Sequence, residues 1–294
     1  MKRFRTTPLW APWFFMGPFL FVFLTFTTYP LFQSMFLAAH QTFGPEHSAF
    51  IGWDNFRFLL SDPRFWKAFK NTLYFVSGSI CIQLPLALAL AMLLNRPNLK
   101  GRALFRLIFF APSLIGMVFV AMIFRLMFEK RTGLINVLLH SVFPSFNLEF
   151  PWLDTYLMPA LILASLWMHA GFYMVFFLAA LQNVSQEQIE AASIDGAGPW
   201  QRFRHIILPA IAPVASFICL LSIIGSFQLF ELPYILLNNT GGPQDRALTI
   251  VMYLYETGFE IGDLGYASAI GWVLALLLVG LATIQRTLSK KEEQ

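Results

Sequence analysis

The residues of this chain that could do chemistry fall in two places. One is a polar stretch between two long apolar runs, Glu190-Ala191-Ala192-Ser193-Ile194-Asp195-Gly196-Ala197, followed by Phe203, Pro209 and Pro213. Small side chains at Ala191, Ala192 and Ala197 let another surface approach closely, and Glu190 and Asp195 supply charge. That is docking chemistry, not bond-breaking chemistry. The other place is a set of polar and aromatic residues inside apolar runs: Trp167, His169, Gly171 and Tyr173 in one, Ser222, Ser226 and Gln228 in the next. Polar groups at such depth usually face a cavity or a neighbouring helix. Aromatic faces beside amides and hydroxyls could line a polar cavity. Ser222 and Ser226 are four apart and share a helix face. His169 reads as a hydrogen-bonded residue of this group rather than a proton relay. Glu231 follows as the one acid placed inside a span, at an outer interface or gate.

No catalytic constellation accompanies these residues. Gly-x-x-x-x-Gly-Lys-Ser/Thr does not occur, nor does any Gly-Lys dipeptide, so this chain has no phosphate-cradling loop. His-Glu-x-x-His and Gly-x-Ser-x-Gly are also missing. Cys81 and Cys219 both lie in apolar runs and read as inert thiols. There is no metal-ligand spacing of Cys and His. The expectation is no enzyme, no metal and no cofactor on this polypeptide.

The elements that must position these residues are membrane spans. The 294 residues are 57% hydrophobic and only 12% charged, against roughly 25% charged in soluble domains. A span needs about 20 mostly apolar residues. Six runs qualify, at about 12–38, 69–94, 104–128, 156–182, 211–237 and 266–286. The fold class expected is all-α and polytopic, a single transmembrane domain over 1–294. The apolar run from Leu9 to Ala39 is too long for the core of a cleaved signal peptide and reads as a retained first span.

Orientation follows from Lys and Arg. With the N-terminus inside, twelve fall on inner segments (Lys2, Arg3, Arg5, Arg96, Lys100, Arg102, Arg106, Arg202, Arg204, Arg286, Lys290, Lys291). Seven fall on outer ones (Arg57, Arg64, Lys67, Lys70, Lys130, Arg131, Arg246), and Arg125 lies within the third run. Both termini are therefore expected in the cytoplasm. The net charge of +4 is explained by helix ends and gives no nucleic-acid signal.

The polar stretch has its own punctuation. Ser185 can cap a helix with Gln188 completing a capping box, and the helix should run Gln186–Ile194. Gly196 tolerates positive φ and ends it. Pro199 suits the first turn of a second helix. On the outer side, Gly241-Gly242-Pro243 is a strong turn signal.

Read whole, Glu-Ala-Ala-x-x-Asp-Gly-Ala, then Phe203, Ile206, Leu208, Pro209, Ile211 and Pro213, resembles the signature loop of permease subunits of binding-protein-dependent ABC importers. The six-span layout and Thr-Gly-Gly-Pro at 240–243 are similar to the carbohydrate-uptake group, on the pattern of the larger permease of sugar and glycerol-3-phosphate importers. The resemblance implies a type I importer fold in the inner membrane. It implies that the loop 185–209 docks an ATPase, with Glu190, Ala191, Ala192, Asp195, Gly196 and Ala197 as coupling residues. It also implies a substrate site on the fourth and fifth spans (Trp167, His169, Gly171, Tyr173, Ser222, Ser226, Gln228). Glu231, Gly241, Gly242 and Pro243 would form a gate or outer loop. The implied partners are a second, homologous permease, two ATP-binding subunits that hold the ATP, an extracytoplasmic solute-binding protein, membrane lipid and a carbohydrate-like solute. The alternative is a stand-alone secondary transporter. That reading asks for mid-membrane carboxylates and often inverted repeats; only Glu231 is available, and no repeat is visible.

Overall fold

The computed structural model describes residues 10–42, 48–96 and 99–292. Lys2, Arg3 and Arg5 of the orientation argument lie outside the described residues, as do the side chains of Lys290 and Lys291. In chain order the elements are α1 (Ala11–Phe23), α2 (Tyr29–Ala38), β1 (His40–Thr42), β2 (Ser48–Phe50), α3 (Asp54–Ser61), α4 (Pro63–Gly78), α5 (Leu84–Leu94), α6 (Arg102–Phe110), α7 (Met117–Met127), α8 (Leu134–Val142), α9 (Leu157–Gln182), α10 (Gln186–Ile194), α11 (Pro199–Arg202), α12 (Leu208–Phe227), α13 (Glu231–Leu236), α14 (Ile250–Tyr255) and α15 (Leu264–Glu292).

Five helical stretches are long and apolar enough to cross a bilayer: Trp13–Ala38, Pro63–Leu94, Leu157–Gln182, Pro199–Phe227 and Leu264–Thr287. A sixth is Arg102–Leu114 with Met117–Met127, bent by 99°. Three of the rods contain a widened π-helical turn, at Leu24–Thr28, Ser79–Gln83 and Phe203–Ile207. Each is followed by one residue and then a proline: Pro30, Pro85 and Pro209. A helical proline lacks its N–H and presses on the carbonyl four residues back. In all three rods that carbonyl falls inside the π turn, which gives it room. Gln83 closes the second of these turns and Pro85 follows it.

Two expected spans differ from the sequence reading. The run 104–128 is not straight, because Pro112 starts a 3-10 turn over Ala111–Leu114, and Ile115 and Gly116 are extended. The run 211–237 is not one helix. The chain leaves helical geometry at Phe230 (φ −137°, ψ −61°). Pro233 explains this: inside a continuous helix it would clash with the Leu229 carbonyl, so a new helix starts at Glu231.

The chain divides into two compact units, Met1–Asp62 with Leu254–Ala275, and Pro63–Tyr253 with Leu276–Gln294. In the first, β1 and β2 form an antiparallel ribbon pairing His40 with Phe50. Buried Asn55 donates to the carbonyls of Ala38 (3.0 Å) and His40 (2.9 Å). The Tyr266 hydroxyl donates to Asp62 at 2.6 Å. Gly265 N–H donates to Thr42 Oγ1 at 3.0 Å, and a Cβ on Gly265 would sit 1.9 Å from the His40 carbonyl oxygen.

In the second unit α9 is the buried axis. Ala160, Leu161, Ala164 and Met174 are sealed from solvent. Its N-terminal half packs with Phe75, Val120, Phe124, Leu232 and Leu236. Its C-terminal half packs with Ala87, Ala91, Ile211 and Ile218. The alanines let helix axes approach closely, as membrane helices require when burial from water does not drive them together.

Candidate functional site

Three helical ladders meet around a cavity of about 450 Å³ in the second unit. Phe75, Ser79 and Gln83 recur every four residues on the rod of α4 and α5, and Ser165, His169 and Tyr173 do so on α9. Four-residue spacing keeps them on one face. The third wall is the end of α12 and the break after it, with Ser226, Gln228, Phe230 and Glu231. Ser79 donates to Gln83 Oε1 at 3.0 Å, and the Ser79 and Ser222 hydroxyls share a 2.9 Å bond. His169 Nδ1 stands 3.1 Å from the Ser165 carbonyl. Broken helix ends expose backbone groups at membrane depth, tolerated where they line a cavity. The arrangement offers hydroxyl, amide and aromatic groups to a polar solute.

The polar loop is built to a defined shape. Ser185 Oγ accepts the Gln188 N–H at 3.4 Å, one arm of the expected capping box. The far end of α10 closes as a Schellman motif. Gly196, at φ +83°, donates its N–H to Ser193 O at 3.2 Å, and Ala197 donates to Ala192 O at 2.9 Å. Pro199 opens α11, and Gln201 Oε1 accepts the Gly198 N–H at 2.8 Å. Arg202 donates to Ser193 Oγ and so ties α11 back to α10. A groove lined by Gln188, Ala191, Ala192, Asp195, His205 and Pro209 runs beside α10. α10 buries no residue, and Ile194 is 88% exposed.

Residues 83–293 match the family described as the binding-protein-dependent transport system inner membrane component. The chain belongs to this family. It is 37% identical over 284 residues to the arabinooligosaccharides transport system permease protein AraP of Bacillus subtilis (strain 168), covering 95% of this chain and 88% of that one. It is 33% identical over 276 residues to the lactose transport system permease protein LacF of Rhizobium radiobacter, covering 93% and 92%. In fold it matches a bacterial ABC transporter involved in the import of the acidic polysaccharide alginate, with a TM-score of 0.80 at 24% identity over 96% of both chains. The protein is thus an inner-membrane permease with the type I importer fold, a transport subunit whose family leaves ATP hydrolysis to a separate polypeptide.

Within this permease, His169, Tyr173, Ser226, Gln228 and Glu231 line the cavity, and Ser222 joins it through Ser79. Trp167 and Gly171 do not line it. Two residues from His169 is 200° around a helix, so both point elsewhere. Trp167 is 41% exposed and packs edge-on against Phe124. Gly171 is where α9 meets α6: a Cβ there would stand 1.7 Å from the Phe109 carbonyl oxygen. Both lie within the long helix Leu157–Gln182 but off the face that lines the cavity. Phe75, Ser79, Gln83 and Ser165 line it without having been singled out by sequence, although Phe75, Ser79 and Gln83 share one four-residue spacing and Ser165 stands four before His169. Glu231 is not inside a long span but opens the short α13. Arg125 donates to Asn238 Oδ1.

The turn at Gly241, Gly242 and Pro243 is pinned to α4. Gly242 takes φ +73°, and a Cβ on it would meet Leu157 at 2.7 Å. Pro243 begins a 3-10 turn in which Gln244 and Asp245 are left-handed, at φ +54° and +53°. Asp245 receives a two-pronged bond from Arg64, at 2.9 and 3.3 Å. The Gly241 carbonyl accepts the Ala247 N–H at 2.8 Å, and the Gly242 N–H donates to Thr240 Oγ1 at 3.2 Å.

Proposed function

We propose that this permease forms half of the path by which a neutral sugar or sugar-like solute enters the cell. Its partner in the membrane would be a second homologous permease. Two ATP-binding subunits would drive it, and an extracytoplasmic binding protein would deliver the solute. The observation that carries the reading is the cavity walled by Ser79, Gln83, His169, Tyr173, Ser226 and Gln228, in a chain whose relatives are named for arabinooligosaccharide and lactose transport. Among the described residues the lining has hydroxyls, two amides, aromatic faces and the Glu231 carboxylate but no Lys or Arg, which suits a neutral polyhydroxyl better than a phosphorylated solute. Both compact units belong to one transmembrane domain in this reading, with the termini in the cytoplasm.

The loop 185–209 is the docking element. Glu190, Ala191, Ala192, Asp195, Gly196 and Ala197 carry nucleotide-driven motion to the spans, and exposed Ile194 is the apolar anchor. Gly241, Gly242 and Pro243 shape the outer mouth next to Glu231. The test is binding-protein-stimulated ATP hydrolysis of the reconstituted four-subunit transporter. Glu190→Ala and Gly196→Pro should abolish stimulation while each variant still reaches the membrane. Stimulation left intact would reduce the loop to a connector.

A further inference from the structure

A second cleft, of about 460 Å³, lies apart from the solute cavity. Its lining includes Lys67, Lys70, Tyr74, Tyr156 and Arg246. We propose that it holds the phosphate-bearing headgroup of an anionic phospholipid at the membrane surface. Three cations line the cleft and no carboxylate does, among the described residues. The nearby Asp245 is already engaged by Arg64 at 2.9 Å.

Two of the cations are held in place. Lys67 Nζ donates to the Gln244 main-chain carbonyl, and Arg246 donates to Gln244 Oε1 at 3.3 Å. Gln244 does this from a left-handed conformation, φ +54°, that residues with a side chain seldom adopt. Such backbone persists where its surroundings fix it, and it clusters at binding sites. One strained residue thus orients two positive charges.

The position argues for a lipid. Lys67, Lys70 and Tyr74 run along one face of α4 at helical spacing, charged first and aromatic deeper. Tyr74 is 52% exposed on a helix that is long and apolar enough to span. Tyr156 stands just before Leu157, the first residue of α9. Cations above tyrosines mark the headgroup level of a bilayer, and basic pockets between spans bind lipid headgroups. The choice of the outer leaflet rests on the proposed orientation, but headgroup binding does not.

The experiment is native mass spectrometry of the assembled transporter released from membranes of mixed phosphatidylglycerol and phosphatidylcholine. Wild type should retain phosphatidylglycerol selectively. Lys67→Gln/Lys70→Gln/Arg246→Gln should lose that retention by about tenfold. Arg57→Gln/Lys130→Gln/Arg131→Gln, which removes as much charge elsewhere, should keep it. Lys67→Arg/Lys70→Arg should also keep it, which separates lost charge from lost folding. Equal retention in wild type and the triple glutamine variant overturns the proposal. So does displacement of the lipid by millimolar inorganic phosphate, the sign of a free-anion site. Unchanged lipid with weakened binding-protein affinity in the variant overturns it in favour of a protein contact.

Discussion

At the scale of single residues, the face of a helix decides more than depth. Gln83 and Trp167 both lie in spans, yet Gln83 lines the cavity and Trp167 packs on Phe124 away from it. A hydrogen bond to a solute is worth about 1 kcal/mol. Gln83→Ala should therefore raise the KM for uptake roughly fivefold with expression unchanged, whereas Trp167→Ala should change it less than about twofold. Uptake kinetics in vesicles with the purified binding protein check this, and a larger effect at Trp167 would relocate the site. Gly171 makes the complementary case. With the Phe109 oxygen 1.7 Å from its missing Cβ, Gly171→Ala must push α6 from α9. Overpacking of that kind costs about 1–3 kcal/mol and should lower the melting temperature of the detergent-purified complex. An unchanged melting point would mean that the helices slide apart freely. The sequence carried the information for Phe75, Ser79 and Ser165, because their spacing matches Gln83 and His169. It carried none for Gly171, whose reason is a backbone on another helix.

At the scale of elements, local chemistry was legible and helix interruption was not. The bounds of α10, its Ser185 cap and the Gly196 stop follow from the residues that make them, because each signal acts within four positions. The breaks at Pro112 and Pro233 sit inside runs that stay apolar on average, so a count of apolar residues passes over them. A third local device is the turn between α7 and α8. Glu129 accepts the Thr132 N–H at 2.6 Å, its hydroxyl at 2.8 Å and the Arg131 N–H at 2.9 Å. These bonds, those of Thr132 foremost, hold its carboxyl below the usual glutamate range. A depressed folded-state pKa gives stability that is present above the unfolded value and is lost as pH falls through the folded one. The turn should thus stay closed under mildly acidic conditions and open only below the ordinary glutamate pKa. The Glu129 carboxyl resonance, followed by NMR on selectively labelled protein, should titrate below that of an unstructured peptide. Thr132→Val removes only the hydroxyl bond and should move the midpoint part of the way upward; no movement would mean that the hydroxyl does not contribute and the two main-chain bonds set it.

At the scale of the whole chain, composition and charge bias give the class and the direction of threading, but they cannot show which distant segments meet. Nothing in the sequence joins Asn71 to the loop some 175 positions later. Yet its amide donates to the Asp245 and Leu248 carbonyls at 2.8 and 3.0 Å, and Thr72 Oγ1 accepts the Ile250 N–H at 3.1 Å. These bonds hold the turn at Gly241, Gly242 and Pro243 against α4, so the two must emerge on one side of the bilayer. That is a constraint on threading independent of the Lys and Arg count: residues 64–72 and 241–250 share a side, and an odd number of crossings separates that side from the loop 185–209. In the proposed orientation, which the positive bias favours, the loop lies in the cytoplasm. In a background with Cys81 and Cys219 replaced by alanine, Ser145→Cys should react with a membrane-impermeant maleimide in intact spheroplasts. Glu187→Cys should react only after permeabilisation. Labelling of Glu187→Cys alone would invert the threading and remove the loop from the compartment where ATP is found, and labelling of both in intact spheroplasts would mean that Leu157–Gln182 does not separate them across the bilayer.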